Sequence, residues 1–332
     1  MKIFYAELSG NCIFKNSIIF TKNFDFLFMN ILVTGGAGYK GTVLAKKLLD
    51  AGNDVTVLDN FMYGYEPILH LANHPLLTIK KGDIRNKVDN LKDFDVVLHL
   101  AGISGFPACA SNPHSAQLIN VEATRLLVDS LSPGQILINA STTSMYGKSG
   151  EPCDEETPVD PISTYAHTKL AAEKIVMERE NTVSLRFATV FGFSTKMRMD
   201  LMINDFTYKA VKEGVLVLFD GFAKRTFIHV RDAADCYIFT MNNFDKMKGN
   251  IYNSGSNDLN YSKEEIAGLI SKKVKFTVIN SELKDKDLRH FIVNFDKIGK
   301  LGYKPKISVE EGIDELLKLY QFYDYYSHYK TI

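Results

Sequence analysis

The 332-residue chain predicts an α/β fold, a doubly wound parallel sheet with a smaller C-terminal lobe, and three observations carry that expectation. An apolar run, Ile31-Leu32-Val33, enters the glycine turn Thr34-Gly35-Gly36-Ala37-Gly38-Tyr39-Lys40-Gly41, which opens onto the helical run Val43 to Leu49. A second apolar run, Val55 to Leu58, ends in Asp59, about 20 residues further on, the spacing at which an acid meets the ribose of a bound dinucleotide. Short apolar runs and helical periodicity then alternate as far as Asn139, the pattern of strands joined by right-handed crossovers.

Taken in order, the glycine turn has a role for each of its spaced glycines. Gly35 permits the tight turn, Gly38 lets backbone approach phosphates, and Gly41 brings helix close to strand, with the helix N-terminus facing the anion. Asp59 repels a 2′-phosphate, so the expected cofactor is NAD rather than NADP. Leu76 to Ile79, Asp95 to Leu100 and Gln135 to Asn139 read as the next strands, and Ser115 to Leu131 and Tyr165 to Arg179 as helices. In such a Rossmann-type sheet ligands bind beyond the carboxyl ends of the strands, where Asp83-Ile84, Ala101-Gly102 and Ser141-Thr142 fall. Residues 29–192 therefore form the dinucleotide-binding part, and 193–332 mainly a smaller substrate lobe, with Thr226 to Val230 and Tyr252 to Ser254 returning to the sheet. Tyr320 to Tyr329 reads as a terminal helix. Residues 1–28 form an N-terminal extension that is either an upstream start ahead of Met29 or an added strand or arm.

Composition bounds the function. At 45% apolar and 23% charged residues the chain can bury one large core plus a smaller lobe. A net charge of zero removes the electrostatic argument for nucleic acid or an acidic membrane surface, and no apolar run reaches the roughly 18 residues a membrane helix needs. Cys12, Cys109, Cys153 and Cys236 are scattered and lack ligand spacing, so neither a metal site nor a disulfide framework is indicated. These features fit a cytoplasmic enzyme.

The candidate chemistry lies in Thr142, Tyr165 and Lys169. Tyr165 and Lys169 are four apart in a helical segment and share one face, which brings an ammonium near a phenol whose ordinary pKa of about 10 makes it a poor base. An adjacent positive charge favours the phenolate, and Thr142 offers a hydroxyl to a substrate oxygen as its proton moves. The same Tyr-x-x-x-Lys spacing recurs at Tyr208/Lys212 and Tyr326/Lys330. Tyr165 is singled out by its place after Pro161-Ile162-Ser163, by the upstream Ser141-Thr142 and by the nucleotide site before it.

The glycine turn, Asp59, Asp83-Ile84-Arg85, His99-Leu100-Ala101-Gly102, Asn120, Ser141-Thr142, Tyr146-Gly147, Tyr165 with Lys169, Leu185-Arg186-Phe187, Asn204, Arg225 through Asp232, Tyr252-Asn253 and Leu301-Gly302-Tyr303 together resemble the extended short-chain dehydrogenase/reductases, and within them the nucleotide-sugar epimerase/dehydratase branch. The resemblance covers the chain from about residue 29 onward. It implies transient oxidation of a sugar at C4 with NAD, Tyr165 taking the hydroxyl proton, Thr142 steadying the oxygen and Lys169 also holding the nicotinamide ribose. It further implies cofactor contacts at Gly35, Gly38, Tyr39, Lys40, Gly41, Asp59, Asn60, Asp83, Ile84, Leu100, Ala101, Gly102 and Asn120, and a nucleotide-diphosphate sugar held by Ser104, Thr142, Thr143, Thr189, Asn204, Arg225, Arg289 and Phe291. The two long helices resemble the pair that joins a homodimer in this family.

Departures from the pattern narrow the reaction. The 4,6-dehydratases of the family carry Asp-Glu after the catalytic threonine, where this chain has Thr143-Ser144, so elimination lacks its proton shuttles. Epimerase/reductases acting at C3 and C5 use a cysteine in that loop, and Cys109 lies in another. Thr189 replaces an asparagine of related 4-epimerases, and Lys40 replaces an aliphatic residue of the glycine turn. Two enzyme readings follow: a nucleotide-sugar 4-epimerase of the UDP-glucose/galactose type, and a nucleotide-sugar 4-dehydrogenase, which the segments around Arg186 to Tyr208 and Asp245 to Gly249 bring close to bacterial GDP-heptose 4-dehydrogenases. A binding protein without turnover typically loses the tyrosine or lysine that this chain keeps.

Overall fold

The computed structural model describes residues 29–284 and 289–325. The N-terminal extension, Tyr326/Lys330 and the far end of the expected terminal helix lie outside the described residues. The terminal helix runs over Val309–Tyr320, and 321–325 is not helical, so the tyrosine-rich end is not a helix continuing past Tyr320. A capping box fixes the start of that helix: Ser308 accepts from the Glu311 backbone while the Glu311 carboxylate accepts from the Ser308 N–H.

Seven strands form one parallel sheet: β1 (Asn30–Thr34), β2 (Asp54–Asp59), β3 (Leu77–Lys81), β4 (Val96–His99), β5 (Ile136–Thr142), β6 (Thr182–Phe187) and β10 (Asn250–Ser254), in the order β10-β6-β5-β4-β1-β2-β3. The order reverses direction between β1 and β4, which opens a crevice at their carboxyl ends. Both faces of the sheet are covered at its centre, where β1 is buried from Ile31 to Thr34 and β4 throughout, whereas the edge strand β3 is largely exposed. Ile31, Val33, Val55 and Leu98 pack against Leu44 and Leu48 of the helix Tyr39–Asp50 and Tyr237 of the helix Val230–Asn242. Leu32, Val97 and Leu137 face the other way, onto Leu127, Val128 and Val176.

β5 is longer than its apolar run suggests and carries Ser141 and Thr142 within the strand rather than after it. The helix expected over Ser115 to Leu131 is interrupted: α-helices Pro113–Gln117 and Ala123–Ser130 flank a π-helical turn, Leu118–Glu122, centred on Asn120. The wide turn is tied to a tertiary bond, since the buried Asn120 side chain accepts from Ile103 N (2.8 Å) and donates to Ile103 O (3.0 Å) and Thr168 Oγ1 (3.0 Å).

The smaller lobe has two short sheets. β7 (Thr189–Phe191) pairs in parallel with β9 (Lys224–His229), which pairs antiparallel with β11 (Asn260–Ser262); β8 (Val215–Phe219) pairs with β12 (Thr277–Ser281). Its core, with Phe191, Ile203, Phe227, Ile313 and Leu316, seats the helices Met202–Lys212 and Val309–Tyr320 beside the crevice. Of the two segments expected to return to the sheet, β10 stands at its edge against β6, whereas β9 belongs to the three-stranded sheet.

One buried ion pair joins the helix Thr164–Val176 to the sheet. Glu173 accepts from Arg186 Nη2 at 2.7 Å and from Arg186 Nε at 3.1 Å, with both side chains almost wholly buried. Arg186 Nη1 also donates to Tyr146 Oη (3.0 Å), and that hydroxyl donates to Asn253 Oδ1 (2.8 Å). Burial by itself would lower the Arg186 guanidinium, and the adjoining Glu173 carboxylate raises it above its ordinary range.

Candidate active site

A cleft of about 630 Å³ runs along the carboxyl ends of the sheet strands and under the smaller lobe. At one end is the glycine turn. Gly35 has φ +69°, and a Cβ there would stand 2.7 Å from Ala101 backbone; a Cβ on Gly41 would stand 2.5 Å from Gly35 O. The sequence therefore keeps backbone bare at the mouth of the helix Tyr39–Asp50, a cradle that accepts a diphosphate against a helix N-terminus. Asp59, at the end of β2, has one carboxylate oxygen held by Ala37 N (3.0 Å) and the other by Phe61 N (2.9 Å). Burial pushes its pKa up while those N–H groups pull it down. Asp83 is fixed by Arg85 (2.7 and 3.0 Å) and Asn60 (3.3 Å), and these bonds hold its carboxyl down at about 2.

Thr142, Tyr165 and Lys169 line the same cleft. Ser163 caps the helix Thr164–Val176 by accepting from Ala166 N (3.2 Å), which puts Tyr165 in the first turn and Lys169 one turn on. Burial raises the Tyr165 phenol, against which the Ser104 hydroxyl, the Arg198 charge and the Thr142 hydroxyl act. Burial lowers the Lys169 ammonium to about 8, partly offset by Glu173. Thr142 Oγ1 accepts from Ser144 N and donates to Ser144 Oγ, both at 3.1 Å. Tyr208 faces elsewhere: its ring meets Tyr320 edge-on at 5.2 Å and its hydroxyl accepts from Tyr325 N.

The remaining expected residues divide. Tyr39, Lys40, Ile84, Leu100, Ala101, Gly102, Ser104, Thr189, Arg225 and Arg289 line the cleft with the groups above. Four stand behind its wall. Asn120 braces the loop at Ile103, as described, and is a positioning residue. Thr143 turns its hydroxyl to Phe187 O (3.2 Å) because the chain leaves β5 there as a 3₁₀ turn, and Ser144 points into the cleft in its place, where it accepts from Arg289 Nη1. Asn204 is fully buried, accepting from Gly192 N (2.9 Å) and donating to Arg198 O (3.0 Å) and to Tyr39 Oη (3.3 Å). Phe291 packs edge-on against Tyr146, with the Arg225 guanidinium 6.0 Å from its ring.

Sequence reading missed several lining groups. Arg198 and Asp200 form a largely buried ion pair, and Arg198 also donates to Ser104 Oγ (3.1 Å), beside Tyr165. Lys196, Lys209, Lys263, Arg225 and Arg289 line the cleft, as do the carboxylates Asp59, Asp83, Asp200 and Asp205. These five cations suit a phosphate-bearing ligand. The segment holding Arg198 carries a family resemblance but no motif that gives Arg198 or Lys196 a role, and both reach the cleft through the fold of the loop after β7.

A doubly wound sheet with a glycine turn, an acid at the end of β2 and a Tyr/Lys pair over the switch point defines a dinucleotide-dependent enzyme. The chain belongs to the NAD dependent epimerase/dehydratase family, whose model matches residues 31–255. It is similar to UDP-glucuronate 4-epimerase 5 of Arabidopsis thaliana, 29% identical with 88% of this chain and 75% of the relative covered, and to UDP-glucose 4-epimerase of Corynebacterium glutamicum, 28% identical with 72% and 78% covered. Among solved structures, UDP-glucuronic acid 4-epimerase from Bacillus cereus superposes with a TM-score of 0.79 at 24% identity, covering 88% of this chain and 99% of that one. The fold is the one these proteins share, and the cofactor is NAD.

Proposed function

We propose that the protein is a nucleotide-sugar 4-epimerase. The observation that carries the reading is the joint placement of Thr142, Tyr165 and Lys169 in one cleft with the glycine cradle and Asp59. The bare backbone at Gly35, Gly38 and Gly41, with Asp59, would hold NAD, which would supply the hydride acceptor and donor for chemistry at sugar C4. The phenolic oxygen of Tyr165 takes the 4-hydroxyl proton, and the Lys169 ammonium on the next turn of the helix holds the phenolate. Thr142 Oγ1, oriented by the bond it accepts from Ser144 N, turns its hydrogen from Ser144 Oγ to the sugar oxygen as charge develops there. Arg225 and Arg289 grip the diphosphate through charge-assisted bonds, with Lys196 and Lys263 adding positive charge nearby. Thr143 and Ser144 carry neither the acid nor the base that elimination requires, which favours epimerisation over dehydration.

A nucleotide-sugar 4-dehydrogenase that releases the keto sugar is the second reading, favoured by Lys40 in the cleft. We place the protein in the cytoplasm as a homodimer. The free buried thiols Cys109, Cys153 and Cys236 suit a reducing compartment, and the helices Ala123–Ser130 and Thr164–Val176, with half-exposed Leu126, supply the interface. No helix among the described residues is long and apolar enough to cross a membrane. Product analysis with UDP-, GDP-, CDP- and dTDP-sugars, with absorbance at the NADH band followed alongside, tests the reading. Interconversion of 4-epimers without accumulating NADH supports epimerase; accumulating NADH with released keto sugar replaces it by the dehydrogenase.

A further inference from the structure

Lys40 has no part in the proton transfers derived above, yet it stands in the cleft. It occupies the first turn of the helix Tyr39–Asp50, directly after the glycine cradle, and its side chain runs along the cleft to place Nζ 4.0 Å from the centre of the Phe187 ring and 5.8 Å from that of Tyr237. Phe187 ends β6 and is the register partner of Thr142 on β5. The ammonium is thereby delivered to the redox end of the cleft, not to the nucleoside end that Asp59 closes. The ionisable groups facing it are Lys169 from the catalytic helix, Arg198 from the loop after β7, and the buried Cys236 thiol of the helix Val230–Asn242. Among the described residues no carboxylate pairs with Lys40; ring faces are what it touches.

We propose that Lys40 biases the site toward the reduced cofactor, because an ammonium at this end repels the cationic oxidised nicotinamide and leaves the neutral reduced ring undisturbed. The proposal rests on the cleft holding NAD with its nicotinamide beside Tyr165 and Lys169. Burial, with Lys169 next, lowers Lys40 to about 7, the behaviour of a cation held without a counter-charge. A site biased in this way slows return of hydride to the keto sugar and favours its release, so Lys40 bears directly on the choice between epimerase and dehydrogenase.

The test is the pair of dissociation constants for NAD⁺ and NADH, measured by isothermal titration calorimetry on cofactor-stripped protein at pH 6.5 (roughly half a unit below the lysine's midpoint), for wild type, Lys40→Met and Lys40→Arg. The wild type binds NADH more tightly than NAD⁺, and Lys40→Met narrows that ratio about tenfold or more, chiefly by tightening NAD⁺, as expected for removing one unit charge at contact range. Lys40→Arg keeps the charge and the ratio. Should the Met variant fail to fold, Lys40→Gln repeats the measurement. If Lys40 instead served the cofactor diphosphate, Lys40→Met would weaken both forms equally, and that result, or an unchanged ratio, overturns the proposal while leaving the cleft as the NAD site. Failure of the wild type to bind either form overturns both.

Discussion

Replacing Arg186 by methionine removes the guanidinium that holds the catalytic helix to the sheet, and the cost follows from what remains. Glu173 loses donors at 2.7, 3.1 and 3.2 Å and keeps the Ser184 hydroxyl at 3.2 Å, in a position where its side chain is only 2% exposed. Breaking a buried pair from one side costs about 3–5 kcal/mol, because a desolvated charge is left behind. In a chain of this size each kcal/mol lowers the melting temperature by roughly 2–4 °C, so Arg186→Met is expected to melt on the order of 10 °C below wild type. Thermal unfolding followed by circular dichroism measures it. The double variant Arg186→Met/Glu173→Leu removes both charges and is expected to recover more than half the loss, since an apolar pair of similar volume replaces an ion pair at little cost. A single variant within about 1 kcal/mol of wild type, the range of exposed pairs, would refute the reasoning.

Four further outcomes are expected. Because burial brings Lys169 to about 8, raising the pH through that value discharges the ammonium that holds the Tyr165 phenolate; kcat/KM falls on the alkaline side near pH 8, and Lys169→Arg, whose guanidinium stays charged, moves that limb upward out of range. Asp59→Ala frees the Ala37 and Phe61 N–H groups and removes the charge that repels a 2′-phosphate, so the ratio of KM for NADP to KM for NAD drops by about tenfold, equivalent to 1.4 kcal/mol. Ser144→Ala takes a partner from both Thr142 and Arg289, and KM for the nucleotide sugar rises roughly three- to tenfold while melting temperature is unchanged. Tyr165→Phe abolishes turnover while retaining NAD by calorimetry, whereas Tyr208→Phe, whose ring packs on Tyr320, keeps wild-type turnover.

What the sequence made legible was whatever local chemistry dictates. The glycine turn needs bare backbone, and the observed Cβ clearances at Gly35 and Gly41 are the reason the spacing could be read. Apolar runs marked the central strands β1 and β4 because a parallel sheet covered on both faces has no polar side there to alternate with. Illegible were features set by which way a side chain turns once the fold is made. Thr143 and Ser144 differ by one position, and only the 3₁₀ turn after β5 decides that Ser144 enters the cleft. The π turn at Asn120 follows from its bonds to Ile103, across 17 residues of chain. Asn204 reads as a ligand contact from motif position, but helix Met202–Lys212 directs it at Gly192 and Arg198. No local motif gives Arg198 a role, since its reach to Ser104 spans 94 residues.

The central claim, that the Thr142, Tyr165 and Lys169 end of the cleft oxidises a sugar at C4, is tested most directly by nucleotide sugars carrying deuterium at C4, followed by mass spectrometry and NMR of sugar and cofactor. The label is expected at C4 of the epimer or on the cofactor, and Tyr165→Phe is expected to leave it in place. Label lost to solvent, or a product altered at C3 or C5 with the C4 label unmoved, would contradict it.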